Sequence, residues 1–130
     1  MLKSNYLSLL FAGFILVLLS HNYLYAEHGG YKITIKGVNR DFFKGGLKVM
    51  EFAELDIKSK TGKNEVDTFE ITLARGSRAV DNRKISGDHF DLRKYSGVAR
   101  SGDRIVIEIH PDSITPSGET TKVIITIPII

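Results

Sequence analysis

No cysteine occurs anywhere in the 130 residues. That one absence excludes disulfides, thiolate metal sites, thiol nucleophiles and a cysteine-borne lipid. Tryptophan is missing as well, and aromatic residues make up 9% of the chain, which leaves few rings on which nucleic-acid bases could stack. Neither G-x-x-x-x-G-K-[ST] nor G-x-G-x-x-G occurs, so the glycine-rich phosphate loops are absent. No H-x-H or H-x-x-x-H pair exists to start a metal site. The chain also lacks internal repeats and low-complexity tracts, and its net charge of +3 argues for neither a nucleic-acid nor a membrane-surface partner.

What is present begins with an apolar run from Leu7 to Leu19, preceded by Lys3 and followed by a short polar stretch ending at Ala26. That is the layout of a secretory signal peptide. The run falls short of the roughly 18 residues that span a bilayer as a helix, so a membrane anchor is the lesser reading. Residues 1–26 are therefore expected to be a leader and residues 27–130 a single exported domain, periplasmic or secreted. Without disulfides such a domain depends on its hydrophobic core, and its length suffices for one.

Along that domain the apolar residues alternate. "YKITIKGV" places Tyr31, Ile33 and Ile35 on one face, which predicts a strand over residues 31–38. "NRDFFKGG", residues 39–46, reads as a loop. "LKVMEFAELDIKSK" alternates in two phases, which predicts a strand with a bulge near Met50–Phe52, or alternatively a helix from Leu47 to Ile57. "TGKN" signals a turn, so this strand and "EVDTFEITLARG" are expected to form a hairpin. Residues 76–91 show no period and read as a long loop with a short edge strand near Ala79–Val80. One or two helical turns follow over residues 92–99 behind an N-cap at Asp91.

"RIVIEIH" puts Ile105, Ile107 and Ile109 on one face, and Pro111 stops the ladder because it has no N–H. The histidine in "IEIHPD" thus marks a strand end rather than a catalytic site. "TKVIITIPII" supplies a last strand, which either closes the fold or offers an edge for strand addition between chains. The sum is an all-β chain, a small antiparallel Ig-like β-sandwich with one short helical segment.

No enzyme constellation emerges. "SGD" occurs twice, at Ser86–Asp88 and Ser101–Asp103, as turn chemistry, and Glu51, Glu54, Glu65 and Glu70 read as a solvated strand face. His28, His89 and His110 read as solvated side chains, with no metal and no cofactor. One uneven stretch stands out. Between Arg75 and Arg104 eight basic residues face four acidic ones. Arg75, Arg78, Arg83, Lys84, Arg93, Lys94 and Arg100 are the candidate partner-binding residues, since arginine is enriched at protein interfaces. The alternative for this stretch is a solubilising loop. A second functional class is an accessory domain for a small carbohydrate or peptide ligand. It requires exposed aromatics, for which Tyr31, Phe42, Phe43, Phe90 and Tyr95 are the candidates.

The order "VDTFEITLARG", "LRKYSGVARSGDRIVIEI", "SGETTKVIITIPI" resembles the C-terminal domain of the GldM/PorM family, the periplasmic shaft of the gliding-motility and type IX secretion machinery. The matching elements are Val66–Thr72, Leu92–Ala99, Arg100–Ile105 and Ser117–Lys122, and the resemblance covers roughly residues 47–130. Family members also carry a transmembrane helix and several periplasmic domains, for which this chain has one domain behind a leader. The resemblance implies an isolated Ig-like domain in the periplasm that binds protein in the cell envelope. It implies no catalytic residues and leaves room for a homodimer through an edge strand.

Overall fold

A computed structural model describes residues 27–28, 30–60, 66–110 and 122–130. The leader, the "TGKN" turn and the "SITPSGET" turn lie outside the described residues. Among those described, eight strands form two four-stranded antiparallel sheets, so the fold is a small all-β sandwich. The strands are β1 (Glu27–His28), β2 (Tyr31–Ile35), β3 (Glu54–Ser59), β4 (Thr68–Arg75), β5 (Arg78–Ser86), β6 (His89–Asp91), β7 (Arg104–Ile109) and β8 (Val123–Pro128). One sheet runs β1-β2-β3-β6 and the other β5-β4-β7-β8.

Alternation decides which side chains fill the space between the sheets. Ile33 and Ile35 of β2, Leu55 and Ile57 of β3 and Phe90 of β6 are buried from one side. Phe69, Ile71 and Leu73 of β4 meet them from the other, together with Ile105, Ile107 and Ile109 of β7 and Ile125 and Ile127 of β8. The register keeps these residues in rows, with Ile71 opposite Ile107 and Ile107 opposite Ile125. A slip of one residue would turn every isoleucine out to solvent, so the pairing is strongly specified.

Four expectations need correction. The predicted hairpin between the strands flanking "TGKN" does not form: β3 pairs with β2 and β6, while β4 lies in the opposite sheet beside β5 and β7. The long loop over residues 76–91 is instead the nine-residue strand β5 and the short strand β6. Residues 39–46 are not a plain loop, and residues 47–60 are neither one bulged strand nor a helix. Together they contain a short helix α1 (Phe42–Gly45), an isolated parallel bridge from Leu47 to Ile129, a 3-10 turn at Val49–Glu51 and then β3.

Local chemistry accounts for that last pattern. The Asp41 side chain caps α1 by accepting from the backbone N–H groups of Phe43 and Lys44 at 3.0 and 3.2 Å. Gly46 ends α1 at φ 75°, ψ 171°, a region open essentially to glycine alone. Arg40 ties the segment together, donating to the Gly46 carbonyl at 2.7 Å and pairing with Glu51. The Glu51 carboxylate also accepts from the Lys48 N–H, and that hydrogen bond leads the effects holding its pKa down. The N-cap expected at Asp91 is present and opens a 3-10 turn at Leu92–Tyr95.

Candidate functional site

Contacts between strands need unpaired backbone groups, so the edges of the two sheets come first. In the first sheet the edges are β1, with two residues, and β6, with three. Strands this short offer little to a partner.

In the second sheet one edge is β5. The bond from Gly87 N to Asp67 O, 2.7 Å, fixes its pairing phase. Residues 81, 83 and 85 hydrogen-bond toward β4, and the backbone groups of residues 82, 84 and 86 point outward. The side chains of Asp81, Arg83 and Ile85 turn toward the core, because their partners Leu73, Ile71 and Phe69 are buried. Two of these three carry charge. Arg83 donates to Asp81 at 2.8 Å, and its guanidinium lies 5.9 Å from the Phe90 ring centre and 5.8 Å from that of Tyr95. The contact with Arg83 holds the Asp81 carboxyl below its usual range. Tyr95 is buried beneath, its hydroxyl without a well-formed hydrogen bond; burial first, and the polar approach of the Asp81 carboxylate second, push its pKa up. A bulge where Leu73 gives way to Ala74 bends the same edge. Inward charges and a bulge are both devices that discourage strand addition.

The other edge, β8, is built differently. At its C-terminal end Ile129 N donates to Asp103 O and Gly102 N to Ile129 O, both at 2.8 Å, on the side of β7. On the opposite side Leu47 N donates to Pro128 O at 2.8 Å and Ile130 N to Leu47 O at 3.0 Å. Leu47 therefore closes the outer edge at residues 128–130. Carrying that alternation back along the strand, the N–H and C=O groups of Ile124 and Thr126 point away from β7. Among the described residues no backbone group pairs with them. Ile124 is 59% exposed. The large exposed hydrophobics among the described residues are Met50, Val98, Ile124 and Ile130. Two belong to this last segment, and Met50 follows its Leu47 stop by three residues.

The candidate basic residues separate into two groups. Arg75 is structural: it donates to both Asp103 carboxylate oxygens at 2.9 Å and to the Val98 carbonyl. Asp103, 2% exposed, also accepts from the Arg100 N–H, and the Arg75 bond is the main reason its pKa lies low. Arg83 is held by Asp81, and Arg93 is held by Asp91 at 2.7 Å. Arg78, Lys84, Lys94 and Arg100 are exposed and make no ion pair among the described residues. Lys94 lies 5.4 Å from the Phe90 ring centre. The seven residues thus form no single loop; they are spread over β4, β5, the 3-10 turn and the approach to β7.

The aromatic candidates are not a ligand platform. Tyr31, Phe42, Phe90 and Tyr95 are all buried, and Phe43 is partly buried and packed against the core. An open groove does run beside β2 and β3, past Thr34, Lys36, Asn39, Glu54, Asp56 and Arg93. It is polar, and the aromatic ring on its wall is the buried Phe42.

Two histidines acquire neighbours that sequence spacing could not reveal. His89 sits across from Asp56 and beside Asp88, with Nδ1 3.2 Å from an Asp88 oxygen; that contact is the first cause of its raised pKa. His110 shares a cluster with Glu70 and Glu108, where Lys122 already pairs with Glu108. Each set could offer an imidazole and two carboxylates to a cation, but both lie at the surface as partly to fully exposed groups. No signal short of the strand register would have found either, since their members are brought together across strands. Among the described residues no helix is long and apolar enough to cross a membrane. No known protein family, curated protein or solved structure matches this chain.

Proposed function

We propose that this chain is an exported, periplasmic, non-enzymatic domain that binds protein by strand pairing at the outer edge of β8. The observation that carries the reading is the half of that edge left unpaired among the described residues, where outward backbone groups at Ile124 and Thr126 accompany an exposed isoleucine. Strand addition draws its affinity from main-chain hydrogen bonds and its selectivity from side chains beside them. The resemblance to the GldM/PorM C-terminal domain suggests that the setting is envelope machinery. Burial of the aromatic candidates removes the support for a carbohydrate- or peptide-binding accessory domain.

A photo-activatable side chain placed at position 124, and separately at 84, tests this in the envelope of the native host. The reading expects protein adducts from 124 and few from 84. Adducts from 84 and none from 124 would move the contact to the basic surface of β5 and overturn the edge reading.

A further inference from the structure

Resting on that reading, we infer that the strand that pairs with β8 is β8 of a second copy of this chain, antiparallel, with Ile124 facing Ile124 across a two-fold axis. The outward phase of the edge, residues 122, 124 and 126, allows this register. Lys122 then faces Thr126 of the copy at each end, and the arrangement supplies about six main-chain hydrogen bonds.

Three observations favour a copy over an unrelated strand. The usable edge is short, because Leu47 closes it at residues 128–130. A copy presents an edge of the same length with the same stop, whereas a longer foreign strand would run into Leu47. Ile124, 59% exposed, lies on a solvent face whose direct neighbour on β7 is the charged Glu108. Facing isoleucines would cover each other as a cross-strand apolar pair. Charge does not oppose the approach either, since Lys122 beside this stretch is already paired with Glu108. An interface of one short edge falls well below the roughly 1,200 Å² of a standard stable complex, so the dimer is weak and concentration-dependent.

The absence of cysteine makes a clean experiment available. In a hydrogen-bonded antiparallel pair the facing Cα atoms are about 5.5 Å apart, inside the range a disulfide spans. The full chain carrying Ile124→Cys, expressed in its native host and oxidised, should appear mainly as a covalent dimer on a non-reducing gel. Lys84→Cys on β5 should stay monomeric, and Thr126→Cys, which faces position 122 in this register, should give far less dimer than Ile124→Cys. Sedimentation of the unsubstituted chain should show an average mass that rises with concentration toward twice the monomer. Equal dimer from Ile124→Cys and Lys84→Cys, or a monomer at every concentration, overturns the inference. If Ile124→Cys instead forms an adduct with a different protein, the copy is wrong while strand pairing at β8 stands. If neither kind of adduct forms, both fall.

Discussion

The two edges of the second sheet solve the same problem in opposite ways. β5 is long, with nine residues, yet it turns Asp81 and Arg83 inward and is bent by a bulge. β8 has six residues, turns only the apolar Val123, Ile125 and Ile127 inward, and is closed over its last residues by Leu47. A strand added to β5 would have to accommodate the inward ion pair at the lip of the core. One added to β8 between residues 122 and 126 would meet backbone groups and an isoleucine. Edge length is therefore a poor guide to where a sheet can grow; the character of the inward row and the position of the stop decide it.

The largest effect is expected where both edges are supported together. Ile107 of β7 lies between Ile71 and Ile125 in the buried row and is fully enclosed. Ile107→Ala should cost about 3 kcal/mol or more in a urea titration, because a cavity opens among neighbours that cannot collapse. The difference between the edges should vanish with the sheet, so amide exchange should accelerate in β5 and β8 alike.

Next comes Asp103, which joins β4 to the turn before β7 and, through its own carbonyl, to Ile129. Asp103→Ala should cost about 2 kcal/mol, since it leaves the Arg100 N–H without its acceptor and removes the carboxylate that positions Arg75. The carboxyl is held below its ordinary range, chiefly by Arg75. Its contribution is therefore complete above an unfolded-state pKa of about 4 and is lost as pH falls through the folded value. Acid titration should show the unsubstituted protein losing stability below that point more steeply than Asp103→Asn.

The contrast between the edges also explains what could be read from the sequence. Strands whose inward row is purely apolar were legible residue by residue: Tyr31, Ile33 and Ile35; Ile105, Ile107 and Ile109; Ile125 and Ile127. In β5 Val80 at the bulge is followed on the inward side by Asp81 and Arg83, so the features that guard the edge erase the alternation that marks a strand. The misplaced hairpin has another cause. Alternation says which face is buried but not which sheet it belongs to, and β3 and β4 differ only in the second respect. At the candidate surface, the run of basic residues was visible but the structural role of Arg75 was not. Arg75 and Asp103 are 28 positions apart and meet only through the fold. Leu47 was legible as apolar, but its role as the stop beside Ile129 depends on the Gly46 turn, whose conformation the sequence does not spell out.

That turn allows the comparison to be sharpened from the β8 side. A Cβ at Gly46 would approach Ile130 Cγ2 at 2.5 Å and the Pro128 carbonyl at 3.2 Å, in a backbone region that other residues avoid. Gly46→Ala should cost about 1–3 kcal/mol. It should also displace Leu47 from Ile129 and lengthen the open edge, so the variant should self-associate more strongly while being less stable. Sedimentation alongside a denaturation curve separates the two effects. Lower stability with unchanged association would mean that Leu47 is not the stop.

The smallest change in stability, and the sharpest comparison, comes from disarming β5. Asp81 and Arg83 are about a third exposed or more, so solvent screens their ion pair and it adds little to stability. Replacing both with apolar residues, Asp81→Val with Arg83→Ile, should leave the denaturation midpoint nearly unchanged. Ile85 would then continue an inward row of three apolar residues on an exposed nine-residue strand. If the charges are the guard, the double variant should form larger assemblies by light scattering, and Ile124→Lys on β8 should not reverse them. If it behaves as the unsubstituted chain does, the bulge at Leu73–Ala74 alone closes β5. The inward pair then serves only to seal the edge of the core over Phe90 and Tyr95.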